Sequence, residues 1–275
     1  MRKLDLDRVD ILVHTYNNEN TIEKCINSII NQTYQKIFLT ILDDCSTDGT
    51  WIKLNEIRDS FPQKIIIKKT SKNYGSATQA RQECVFTPKG GFWGVIDGDD
   101  WWIATDKVEL QLKILNQNKN YVGCSGGTII KDLDGITIGH IKPSKEVWNY
   151  LDYVLGVNNL YVHVSSILWK NIFHGSDGFR PKLAQKKWPL GEWPLTLAAL
   201  AESRLSICHI EKNVSQYNFN GQGVWSRLTE EERQNKNQVL FKELSNVTPY
   251  RYILAKYAKQ KNLNFLLNFL GLKNR

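Results

Sequence analysis

Short apolar runs, each stopped by polar residues, dominate the N-terminal part of the chain. Val9 to Thr15 (VDILVHT) is apolar and rich in β-branched residues, the pattern of a buried strand. It breaks at Tyr16-Asn17-Asn18 and passes into a segment where Ile22, Cys25, Ile26, Ile29 and Ile30 recur at helical spacing on one face. Ile37 to Leu42 predicts a second strand ending at Asp43-Asp44. The turn Ser46-Thr47-Asp48-Gly49 then leads into a helix bearing Trp51, Leu54, Ile57 and Phe61. Lys64 to Lys68 reads as a third strand, Gly75 to about Phe86 as a helix, and Phe92 to Ile96 as a fourth strand. Alternation of strand and helix at this spacing predicts an α/β fold, a mostly parallel central sheet flanked by helices. In such sheets ligands bind beyond the carboxyl ends of the strands. Tyr16, Asp44 and Asp97 each follow a predicted strand, so the pattern places them on one rim.

After a helix near Asp106 to Leu115 the rhythm changes. Val122 to Ile130 and Ile136 to Ile141 read as two strands with Asp134-Gly135 as the hairpin signal. From about 145 to 225 the pattern is a mixture of helix and loop dense in tryptophan. From Thr229 it turns helical, with Thr229 as N-cap and Glu232 three residues on.

Composition narrows the classes. The 275 residues are 41% hydrophobic and 23% charged, an ordinary globular balance, and no apolar run reaches a membrane-spanning length. The N-terminus, MRKLDLDRVDILVHTY, has acids where an export signal has its apolar centre, which predicts a cytoplasmic protein. Cys25, Cys45, Cys84, Cys124 and Cys208 are scattered singly, a pattern of reduced thiols rather than a disulfide framework or zinc site. The net charge of +8 admits anionic partners. No nucleic-acid-binding motif accompanies it, so no nucleic-acid partner is expected. No GxGxxG follows the first strand, which argues against a dinucleotide dehydrogenase.

The densest chemistry lies in VIDGDDWW, Val95 to Trp102. Asp97 and Asp99 flank the small Gly98, and carboxylates so placed bind Mg²⁺ or Mn²⁺ while leaving positions for phosphate oxygens. The alternative is a polar turn closing a strand.

Four blocks, ILVHTYNNENTIEKCINSIINQTY, LTILDDCSTDGT, NYG with AR further on, and VIDGDDWW, together resemble the nucleotide-binding half of family 2 glycosyltransferases, which have the GT-A fold. They cover roughly residues 8 to 115. The resemblance implies an inverting transferase of the bacterial surface-polysaccharide type, using a nucleotide-sugar donor, with a UDP-sugar favoured and dTDP second. By it, Thr15, Tyr16, Asp44, Asn73, Arg81, Asp97, Gly98 and Asp100 face the donor, Tyr16 packing on the pyrimidine ring and Asp44 bonding its imide edge. Asp99 with Asp97 holds Mn²⁺ or Mg²⁺. Without that context Tyr16 is a boundary tyrosine, Asp44 a turn former and Arg81 a solvated helix charge.

GEWPLTLAALAESRLSICHIEKNVSQYNFNGQGVWS resembles the acceptor-side pattern of one bacterial subgroup of that family. It implies that Glu192 removes the proton from the acceptor hydroxyl, with Trp193, Asn220 and Trp225 on the acceptor side. Glu192 stands where the subgroup has Asp, and Asn220 where it has His. As an isolated residue Glu192 is better read as an acid complementing the N-terminus of the helix it precedes. His163, in LYVHVSS, lies in a further block similar to the family; it lines the acceptor cleft or is a hydrogen-bonded core group. Trp188, Trp193 and Trp225 form a sugar platform or fill the core.

The expected organisation is a catalytic domain over 1–225, with about 8–115 binding the donor and about 116–225 the acceptor, and a basic helical extension over 226–275. From Leu244 onward the chain has no acid, and Arg251, Lys256, Lys259, Lys261, Lys273 and Arg275 are positive. Such a tail suits peripheral contact with an anionic membrane at its inner face, matching a glycan or lipid-linked acceptor, or a helix packed on protein. The rival functional reading is a relative that binds nucleotide or glycan without catalysis.

Overall fold

The computed structural model describes residues 4–75, 80, 88–155, 160, 162–172, 192–221, 229 and 231–232. Strand β1 (Asp5–Thr15) leads into α1 (Ile22–Ile30), then β2 (Ile37–Asp43), α2 (Thr50–Ser60), β3 (Ile65–Lys69) and β4 (Gly90–Asp97). β1 pairs in parallel with β2 and β4, and β2 in parallel with β3, so these four strands share one direction. The remainder comprises β5 (Trp101–Trp102), α3 (Lys107–Gln117), β6 (Tyr121–Lys131), β7 (Thr137–Ile141), β8 (Val147–Trp148), α4 (Tyr150–Leu155), β9 (Leu168–Lys170), α5 (Glu192–Ser203) and β10 (Ser206–Asn218). The sheet runs β3-β2-β1-β4-β9-β6-β10-β5, with β7 on β6 and β8 on β10. β6 and β10 are parallel, and the joining strand β9 is antiparallel to both β4 and β6.

The interior of β1 explains why the first half folds this way. Val9, Ile11 and Val13 enter one buried cluster with Ile22, Cys25, Ile26 and Ile29 of α1. Leu12 enters a second cluster with Trp93, Val95, Trp148 and Trp169. A central parallel strand is covered on both faces, so nearly every position must be apolar. Each aliphatic side chain buried this completely contributes about 1.5–3 kcal/mol. The rings of Trp93 and Trp169 stack at 6.2 Å across the β4–β9 junction.

The hairpin signal is realised, with Gly135 at a φ of +77°, a conformation natural to glycine. The N-cap expected at Thr229 is present: Thr229 Oγ1 accepts the Glu232 amide at 3.2 Å, and Glu232 Oε2 accepts the Thr229 amide at 2.8 Å.

Two expectations are corrected. The stretch from about 145 to 225 is not simply helix and loop: it contributes β8, β9 and the 13-residue β10 to the sheet. β10 escapes the alternation rule because Glu211-Lys212-Asn213 interrupts it, where the register against β6 shifts between Ile210 and Asn213. The first strand also begins at Asp5, four residues before the apolar run. The expected helix from Gly75, except for Ala80, and the basic tail lie outside the described residues. Among the described residues no helix is long and apolar enough to cross a membrane.

Candidate active site

Strand register assembles the site. Thr15 lies opposite Asp43, and His14 opposite Asp97, so β1, β2 and β4 end level with one another. The polar residues that follow them therefore emerge on one rim. The loops are tied together by main-chain bonds: the Asp44 amide donates to the Thr15 carbonyl at 2.8 Å, and the Gly98 amide to the His14 carbonyl at 2.7 Å.

Thr15 is buried and donates to Asn18 Oδ1 at 2.8 Å, an oxygen that also accepts the Tyr16 amide at 3.2 Å. Tyr16 itself is 40% exposed. Its ring is thus available at the rim rather than in the core. Asn17 and Cys45 both adopt positive φ, 51° and 61°. The two loops interlock: Ser46 Oγ accepts the Asn17 amide at 2.9 Å, while Asn17 Oδ1 accepts the Thr47 amide at 2.9 Å.

Asp44 is buried, with both carboxylate oxygens accepting the Tyr74 amide at 3.1 Å and Oδ1 accepting the Thr70 hydroxyl at 3.1 Å. A carboxylate has about four lone-pair sites, so an acceptor direction remains for an imide N–H. The same carboxylate therefore fixes the 70–75 segment. Asn73 is exposed there, its Oδ1 accepting the Gly75 amide at 2.6 Å.

The acids follow β4. Gly98 lies in the turn that follows β4, and a Cβ there would stand 2.7 Å from Thr15 Oγ1 and 2.8 Å from Thr15 Cβ. Close approach to β1 is what excludes a side chain. The turn closes with the Asp100 amide donating to the Asp97 carbonyl at 3.0 Å. Burial, and then repulsion by Asp97, raises the Asp99 pKa to about 6. Burial, and then Asp99 and Asp97, raises Asp100 well above the carboxylate range. These are carboxyl groups held in a place that disfavours their own charge, and a cation among them would reverse that balance. Among the described residues no three His, Cys, Asp or Glu side chains close on one point. Asp97 and Asp99 offer at most two protein ligands, a donor set suited to Mg²⁺ or Mn²⁺ that completes its shell with phosphate oxygens and water.

The second half touches the acids directly. At the end of β10, the Asn218 amide donates to Asp100 Oδ1 at 3.2 Å, and its side-chain NH₂ donates to the Asp99 carbonyl. His163 Nε2 lies 3.7 Å from Asp100 Oδ2. Burial holds the His163 pKa down to about 4, so the ring is neutral at pH 7 and the contact is not an ion pair. The ring stacks on Tyr217 at 4.8 Å.

Thus Thr15, Tyr16, Asp44, Asn73, Asp97, Gly98, Asp99 and Asp100 occupy the rim or the loops that build it. Glu192 is the first residue of α5, at the positive end of that helix, rather than just ahead of it. The side chains of Glu192 and Trp193 lie outside the described residues, as do Arg81, Trp188 and Trp225 entirely. Asn220 is partly buried two residues beyond β10. Sequence reasoning missed Thr70, Tyr74 and Asn218. The NYG block, which contains Tyr74, and the position of Asn218, two residues before Asn220 in YNFNGQG, offered signals.

The chain matches proteins of one chemistry. The model of the family described as Glycosyl transferase family 2 matches residues 10–168. Escherichia coli WfaP, a UDP-Glc:alpha-D-GlcNAc-diphosphoundecaprenol beta-1,3-glucosyltransferase, is 35% identical over 46% of this chain and 49% of its own length. Bacillus subtilis TuaG, a putative teichuronic acid biosynthesis glycosyltransferase, is 27% identical over 52% of this chain and 56% of its own. The chain thus spans about half the length of these curated relatives. Among solved structures, S. aureus TarS 1–349 in complex with UDP-GlcNAc superposes with a TM-score of 0.62 at 16% identity, over 87% of this chain and 67% of that one. The Pyrobaculum calidifontis mannosyltransferase PcManGT, solved with GDP-Man and Mn²⁺, gives 0.56 at 18% identity over 96% and 73%. The fold is GT-A, shared with these neighbours, and the chain belongs to glycosyl transferase family 2.

Proposed function

We propose that the protein transfers a sugar from a UDP-sugar to a hydroxyl of a glycan or lipid-linked acceptor, with inversion at the anomeric carbon and dependence on a divalent metal. The observation that carries this reading is the level ending of β1, β2 and β4, which brings Tyr16, Asp44 and the acids at 97–100 to one rim. Relatives named for UDP-Glc donors and a diphosphoundecaprenol acceptor support it, as do neighbours solved with UDP-GlcNAc and with GDP-Man and Mn²⁺. The teichuronic acid relative fits a place in bacterial surface-polysaccharide synthesis.

In this reading Tyr16 stacks on the uracil, and Asp44 accepts its imide N–H. Asn73 and Arg81 approach the nucleotide, while Thr15 and Gly98 shape the floor beneath it. Asp99, helped by Asp97, holds Mg²⁺ or Mn²⁺, and Asp100 supports the loop. When bound, the cation offsets the negative charge that grows on the leaving diphosphate. Glu192 accepts the acceptor hydroxyl proton as that oxygen bonds to the anomeric carbon and the bond to the diphosphate breaks on the opposite face. One displacement inverts configuration without a sugar–enzyme intermediate. Trp193, Asn220 and Trp225 stand on the acceptor side. Residues 1–225 form the catalytic unit, and the basic 226–275 extension contacts the inner face of an anionic membrane.

Sugar transfer from a panel of UDP- and dTDP-sugars tests the reading. Glu192→Gln is expected to lower kcat by about 10²–10⁴-fold with UDP affinity unchanged. Metal-dependent UDP binding without transfer by the wild-type protein would instead favour a binding role.

A further inference from the structure

A second polar arrangement lies behind the carboxylates. Three separate segments meet there: the 97–102 loop, the Val164–Ser166 turn and the end of β10. The Trp102 indole N–H donates to the Ser165 carbonyl at 2.8 Å. Asn218 bridges Asp100 and the Asp99 main chain. His163, only 6% exposed, sits between these parts.

Its tautomer can be assigned from its neighbours. Nδ1 faces the Ser165 backbone N–H at 3.4 Å, a contact that favours Nδ1 as the acceptor. The Ser165 hydroxyl, 2.7 Å from the same atom, is then its second donor. A neutral imidazole with Nδ1 as acceptor carries its proton on Nε2. That N–H faces Asp100 Oδ2 across 3.7 Å, longer than a hydrogen bond. The Tyr217 ring stacks on the imidazole at 4.8 Å.

We propose that His163, as the Nε2–H tautomer, is a positioning residue that holds Asp100, and through Asp100 and Asn218 the Asp99 main chain, in the geometry required for a divalent cation on a diphosphate. The proposal rests on the metal-dependent reading above. It makes the acceptor-side half a structural partner of the donor-side acids.

The test combines a spectrum with a titration. Long-range ¹H–¹⁵N spectra of the intact protein without metal are expected to show His163 as Nε2–H; an Nδ1–H signal overturns the proposal. UDP binding is then measured by calorimetry with and without Mn²⁺. His163→Gln retains a donor near the Nε2 position and is expected to stay close to wild type. His163→Asn retains only the Nδ1-like group, and is expected to bind UDP with Mn²⁺ about 10-fold more weakly or worse, while UDP alone binds equally. Equal Mn²⁺ dependence in wild type and H163N overturns the positioning role alone. So does a loss that is equal in H163Q and H163N and follows their melting temperatures. No Mn²⁺ dependence in wild type removes the metal reading and this proposal with it. If H163N does not fold, Ser165→Ala is read instead: it removes the hydroxyl 2.7 Å from Nδ1 and leaves the backbone N–H at 3.4 Å to hold the ring, and the same weakening supports the role while unchanged binding overturns it.

Discussion

At the residue scale, Gly98 carries the sharpest steric constraint in the acid loop. A methyl group there meets Thr15 within 2.8 Å at both Oγ1 and Cβ, and Thr15 is buried at the end of a central strand with no room to yield. Gly98→Ala is therefore expected to destabilise the fold by about 1–3 kcal/mol, read as a lower urea midpoint at unchanged slope, and to weaken metal-dependent UDP binding further. Much of this neighbourhood was legible from residue type and spacing: VIDGDDWW marked the acids, and TYN and LDD marked the loops beside them. The reason for the glycine was not. A sequence cannot show that two loops distant along the chain pass within a methyl radius of each other. Thr70 and Tyr74 escaped for a related cause: both serve Asp44 from another loop.

At the element scale, α3 carries a buried lysine with a measurable consequence. Lys107 is fully buried, donating to Gln111 Oε1 at 2.8 Å with its ammonium 4.3 Å from the centre of the Trp102 ring. Burial lowers its pKa to about 7 from an ordinary value of 10.5. Between these values the unfolded chain holds a proton that the folded chain has released, so this site makes stability rise with pH across the window and plateau below it. The gap in denaturation midpoint between wild type and Lys107→Met is expected to move in favour of wild type from pH 7 to pH 10. A gap constant with pH would show that the lysine is not desolvated. The elements themselves were readable wherever burial on both faces enforces a continuous apolar run, as in β1, β2 and β4. β10 was not, because a charged bulge splits SICHIEKNVSQYN and because its partner β6 lies far away in the chain.

At the scale of the whole molecule, the sheet joins a parallel four-stranded half to a mixed half through the short strand β9. The acids stand at the end of β4, yet Asn218, the last residue of β10, holds them in place. The two halves of the sheet are therefore tied together at the acids, although the sequence presents them as separate blocks. The central claim is that the carboxyl groups after β4 hold a divalent cation on the diphosphate of an activated sugar. Calorimetric titration of UDP into wild type and Asp99→Asn, each with and without Mn²⁺, tests it most directly. Mn²⁺ is predicted to tighten UDP binding to wild type by at least about tenfold, or 1.4 kcal/mol, and to leave Asp99→Asn unchanged. Equal affinities with and without Mn²⁺ in the wild-type protein, or a full Mn²⁺ effect in the variant, would contradict it.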